Sequence, residues 1–114
     1  MGIIYGAITI FGMVAIAGMY LLSLILRNKQ TPKAVTIIHG LFAVLGVVLL
    51  IIYCFKHNTD LLTSIIVFLV AAVSGIMLNY RDLTGKSVPK WFAIAHGLVA
   101  VVGFALLLVF AFFT

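Results

Sequence analysis

Charge is what this sequence has least of: 8% of its 114 residues, seven Lys or Arg against two acidic side chains. With 66% hydrophobic residues, no polar surface can be assembled around a domain of this size, which excludes a soluble enzyme. A nucleic-acid partner is excluded on the same ground. The net charge is +5, but a basic face needs a polar surface to gather on. The single cysteine, Cys54, can form neither an internal disulfide nor a Cys-rich metal centre. Carboxylates are absent from the long apolar runs, which removes the intramembrane acid a small proton-coupled exporter requires. No polar stripe is present to line a wet channel.

What remains is apolar sequence in quantity. The charges fall in three clusters: Arg27, Lys29 and Lys33; Lys56 and Asp60; and Arg81, Asp82, Lys86 and Lys90. Between them lie Met1–Leu26, Ala34–Phe55, Leu61–Tyr80 and Trp91–Thr114, which are 26, 22, 20 and 24 residues long. Each is long enough to cross a bilayer as a helix, which takes about 20 residues at ~1.5 Å per residue. Transmembrane strands would be about half as long and would alternate in polarity. The first run lacks a basic residue before it and continues past Ala15-Ile16-Ala17 to Leu26, so it reads as a mature helix and not as a cleaved signal. The expected fold is all-α: one integral membrane domain over 1–114, a four-helix up-down bundle with short loops. Lys and Arg are divided three, one and three among the loops. That distribution predicts a multi-pass inner-membrane protein with loops 27–33 and 81–90 in the cytoplasm and both termini outside.

The chain also repeats itself. Shifted by 57 residues, Pro32–Tyr53 aligns with Pro89–Phe110, and 11 of the 22 positions are identical. Repeat 1 covers 1–57 and repeat 2 covers 58–114, each a helical hairpin. The common core reads H-G-L-x-A-V-x-G-x-x-L-L, beginning at His39 and His96. In the odd helices Ile8, Phe11, Ala15, Gly18 and Leu21 correspond to Ile65, Phe68, Ala72, Gly75 and Leu78, largely on one helical face expected to pack inward. Two hairpins of the same orientation are related by a pseudo-twofold axis along the membrane normal. His39 and His96 therefore stand at equal depth, each six residues beyond Lys33 or Lys90.

Polar side chains at membrane depth mark function by default. The simpler reading is that each imidazole bonds a backbone carbonyl, or Thr36, across a helix pair. A bare zinc or copper site usually takes three or four protein ligands, and no Asp, Glu or Cys shares this depth. Haem needs only two axial ligands, one from each side. His39, Ala43 and Gly46 fall at i, i+4 and i+7, as do His96, Ala100 and Gly103, and these small residues are expected to leave room for a flat macrocycle. Lys33 and Lys90, with Arg27, Arg81 and Trp91 near them, supply cations and donors at the rim for propionates, besides anchoring the helices at the interface.

The two H-G-L-x-A-V-x-G stretches and the helix count resemble the four-helix, cytochrome b561-like membrane b-type cytochromes. The resemblance implies haem b, with iron between His39 and His96 and Gly46 and Gly103 beside the ring. It also implies electron transfer with a quinone or a redox partner. That family holds two haems, whereas His57 is the only histidine near the opposite side, so one haem is expected here. His57 reads as a solvated loop residue beside Lys56 and Asn58, unless a homodimer brings two copies together. A haem carrier or sensor, and a non-catalytic helper subunit, remain open alternatives. Cys54 is expected as a small buried hydrophobe, Met13, Met19 and Met77 as core filling, and Tyr5, Tyr53 and Tyr80 as interface belts. Asn79 is expected to cap or hydrogen-bond near the end of the third helix.

Overall fold

A computed structural model describes residues 2–57 and 61–113. Asn58 and Asp60, assigned above to the middle loop, lie outside them. The chain forms α1 (Gly2–Leu26), α2 (Lys33–His57), α3 (Leu62–Leu83) and α4 (Lys90–Phe113), each long and apolar enough to span a membrane. No strand occurs among the described residues. Consecutive helices run antiparallel and close a ring in which each packs on two neighbours, α1 against α2 and α4, and α3 against α2 and α4. The particle measures 43 × 21 × 19 Å. Ile16, Phe55, Trp91 and Phe113 are all more than two-thirds exposed, which suits lipid as the surrounding medium.

The two hairpin turns share one geometry. Asn28 (φ 57°) ends α1 and Gly85 (φ 77°) ends α3, 57 residues apart, both in the left-handed region where glycine and asparagine are favoured. Beyond them Lys29 N–H donates to Leu24 O (2.8 Å) and Lys86 N–H to Arg81 O (2.9 Å). This is the Schellman closure, which satisfies carbonyls the helix end would otherwise leave bare. Pro32 and Pro89 then precede the next helices, and their carbonyls accept the first helical bonds, from Thr36 and Ala93.

The third helix is longer than its apolar run. Arg81, Asp82 and Leu83, expected in a loop, form its last turn, so the connection shortens to 84–89. Hydropathy marked where apolar residues stop, but backbone bonding continues: Thr84 N–H donates to Tyr80 O (3.1 Å). Likewise Lys33 is already the first residue of α2.

The core is unevenly distributed along the bundle. In the half that carries the termini, Ile4, Ala7, Leu50, Tyr53, Ile65 and Leu107 are buried and densely packed. Near the middle, Phe11 of α1 and Phe68 of α3 reach across the axis and stack, with ring centroids 4.1 Å apart and planes within 1°. The other half, toward the 27–32 and 84–89 loops and called the basic end below, has small residues facing the axis instead. The conserved spacing of Phe11, Gly18, Phe68 and Gly75 places all four on the inner wall, as the repeat predicts. Met13, Met19 and Met77, expected in the core, are instead exposed, and Tyr53, expected at an interface, is buried. A helix apolar on every side does not reveal from sequence which side turns inward.

Candidate functional site

Between the phenylalanine stack and the basic end lies a cavity of about 380 Å³ bounded by all four helices, within the size range of small-molecule sites. His39 of α2 and His96 of α4 line it on opposite sides. Their ring centroids are 6.4 Å apart and their planes are inclined at 77°.

Each imidazole is held from within its own hairpin. His39 Nδ1 lies 3.0 Å from Val14 O on α1. A carbonyl only accepts, so Nδ1 carries the proton of the neutral ring. His96 Nδ1 lies 2.9 Å from Ser74 Oγ on α3, and that hydroxyl donates to Ala71 O at 2.8 Å. With its hydrogen committed to the carbonyl, the hydroxyl accepts from His96, which again places the proton on Nδ1. Ala71 is the repeat equivalent of Val14. Both Nε2 atoms are left with a lone pair and no hydrogen-bond partner among the described residues. A metal-ligating histidine has this arrangement, with the distal N–H fixed by a carbonyl or hydroxyl. Thr36, the alternative partner for His39, shares its one hydroxyl hydrogen between Pro32 O (3.2 Å) and Asp82 Oδ2 (3.1 Å) instead.

The glycines that make room for the imidazoles are on the other helices. A Cβ on Gly18 would stand 2.9 Å from His39 Cε1, and one on Gly75 would stand 3.0 Å from His96 Cε1. Sequence reasoning noted both as part of the inward stripe but gave them no role beside the histidines. Gly46 and Gly103 serve a different neighbour from the one assigned to them. A Cβ on Gly46 would be 2.7 Å from Phe11 Cζ, and one on Gly103 would be 3.1 Å from Phe68. The space beside them is filled by the phenylalanine stack, whose rings require it. Ala43 and Ala100 do face the cavity.

At the basic end, one corner is closed by a polar cluster. Asp82 accepts hydrogen bonds from Thr31 and Thr36, and Lys33 Nζ lies 3.1 Å from its Oδ1 and 3.0 Å from its backbone oxygen. Asn79, expected to cap or bond, packs over Gly40. Lys33 is therefore engaged, while Lys90 is exposed and has no ion-pair or hydrogen-bond partner among the described residues. His57, expected in a loop, is instead the last residue of α2 at the opposite end, exposed, its ring stacked on Tyr53 at 4.2 Å and its Nδ1 3.3 Å from Tyr53 O.

The donor set fits haem better than a bare ion. Among the described residues no group of three or more His, Cys, Asp or Glu comes together to hold a metal alone. Two imidazole nitrogens bound to one metal at ~2 Å each put the ring centroids about 6 Å apart, close to the separation found. A macrocycle that supplies its own in-plane ligands needs nothing more from the protein than this pair. No family model, curated protein or solved structure matches this chain.

Proposed function

We propose that this multi-pass membrane protein holds one b-type haem between His39 and His96 and passes electrons between a membrane quinol or a redox partner protein and an acceptor. The observation that carries the reading is the matched pair of imidazoles, opposed across the pseudo-twofold axis, each with its Nδ1 proton committed and its Nε2 lone pair free. Held by His39 and His96, an iron porphyrin would supply a one-electron couple there.

The chain's own residues do the rest. Val14 O and the Ser74 hydroxyl fix the tautomer and the ring orientation, so little reorganisation is needed when a ligand arrives. Gly18 and Gly75 allow each imidazole to lie close against the neighbouring helix. The Phe11–Phe68 stack and the packed half beyond it exclude water from one side of the cavity. Lys90, unpaired at the rim, offers a cation for propionates, while Lys33 is shared with Asp82. With the basic end in the cytoplasm, the histidines lie in the cytoplasmic leaflet.

The test is spectroscopic. Protein purified from cells with adequate haem supply should give a six-coordinate low-spin spectrum that sharpens on dithionite reduction. His39→Ala or His96→Ala should each remove most of the bound haem, and His57→Ala should not. Wild-type haem content in both inner variants would overturn the ligand assignment, and no haem in any form would favour a helper subunit.

A further inference from the structure

The 57-residue repeat matches the two histidines and the glycines and phenylalanines beside them, but one corner of the site breaks it. Where α3 meets α2 at the basic end, Asp82 is bonded by Thr31, Thr36 and Lys33, and Asn79 lies on Gly40. At the equivalent corner, where α1 meets α4, the corresponding residues are Ile25, Val88, Ala93, Lys90, Leu22 and Gly97. Four of these have apolar side chains that form no hydrogen bond. A Cβ on Gly97 would meet nothing within 4 Å, whereas one on Gly40 would lie 2.8 Å from Asn79 Nδ2. The cavity follows the same asymmetry. On α4, Ile94 and Leu98 line it while 40% and 63% exposed, but their equivalents Ile37 and Leu41 are not part of its wall.

We infer that the α1–α4 seam is the side entrance through which the ligand of the histidine pair passes from the membrane into the cavity, and that this ligand is a carboxylate-bearing amphiphile with an apolar body. The inference rests on the haem reading, since a porphyrin with propionates is that ligand. An apolar body can slide past Leu22, Ile94 and Leu98 without stripping water or partners from any polar group. Parting α2 from α3 would instead break every side-chain bond to Asp82 in a low-dielectric setting, where such bonds are strong. Charge points the same way. Lys90 is free to meet an incoming carboxylate, while Lys33 is already neutralised, and Asp82 repels anions from its own corner.

The experiment uses the haem-free full chain in phosphatidylcholine vesicles, with haemin delivered from a second vesicle population and its uptake followed by the rise of the bound-haem absorption band. The triple variant Ile25→Asp, Val88→Thr, Ala93→Thr copies the latch onto the α1–α4 corner, where Lys90 already stands in for Lys33. Uptake should slow at least tenfold and end at the same final spectrum. Gly97→Leu should also slow it about tenfold, by filling space that no atom of the chain occupies, and it serves if the triple variant loses helical circular dichroism. Lys90→Gln should slow uptake of haemin but not of its dimethyl ester, which lacks the carboxylates. Wild-type uptake rates in Gly97→Leu and in the folded triple variant, with haem fully bound, would overturn the side entrance and leave the haem reading intact. Failure of the unaltered chain to take up haemin at all would overturn both.

Discussion

His39 and His96 occupy equivalent positions and each meets a backbone carbonyl, of Val14 and Ala71, but His96 alone also meets a side chain, the Ser74 hydroxyl. No substitution removes Val14 O, but Ser74→Ala removes the hydroxyl that His96 Nδ1–H meets. Loss of such a supporting partner typically weakens a metal site by about 10–100-fold, so haem titration of Ser74→Ala should show a drop of that order with helix content unchanged. The glycines separate into two kinds by the same reasoning. Gly75→Leu should push His96 aside and abolish haem binding while the helices still insert. Gly46→Leu should strike Phe11 and act through packing, costing about 1–3 kcal/mol, visible as a lower unfolding temperature in detergent with or without ligand. An unchanged melting temperature in Gly46→Leu would refute that placement of Phe11. Both histidines could be read from the sequence, because a repeat fixes equal depth whatever the helix rotation. The neighbours of Gly46 and Gly103 could not. Those helices are apolar all round, and only tertiary packing decides that Phe11 and Phe68 fill the space.

At the scale of whole helices, the extension of α3 past its apolar run brings Asp82 onto α2. Thr31 and Thr36 are buried, and the Asp82 side chain is 16% exposed, while Lys33 is half exposed. Hydrogen bonds to a charged group contribute about 1.5–3 kcal/mol each where buried, whereas a half-exposed ion pair contributes less than about 1 kcal/mol. Asp82→Ala should therefore lower stability by at least about 1.5 kcal/mol and Lys33→Ala by much less, measured as unfolding midpoints in detergent. Equal losses would place the stabilisation in the ion pair after all. The existence of four helices was legible from the spacing of charges alone, and the turns left a trace in Pro32, Pro89 and Gly85. The end of α3 was not legible, because the backbone continues its bonding through Arg81 and Asp82 whether or not those residues suit the membrane.

For the molecule as a whole, the six Lys and Arg at the basic end against one at the other, Lys56 in the last turn of α2, predict the basic end to be cytoplasmic. An alkaline phosphatase fusion at Gln30 should be inactive, and an active one would invert the orientation. A further property follows from the way the imidazoles are supported. His39 is positioned by Val14 and Gly18, and His96 by Ser74 and Gly75, so the direct support of each imidazole comes from its own hairpin. A ligand gripped by both is then a tie between the two hairpins. Whatever free energy it releases on binding is also withheld from any fluctuation that lets the hairpins drift apart, growing as RT ln(1 + [L]/Kd) with ligand supply. On the haem reading, cofactor supply then sets the lifetime of the assembled bundle as well as its capacity for chemistry.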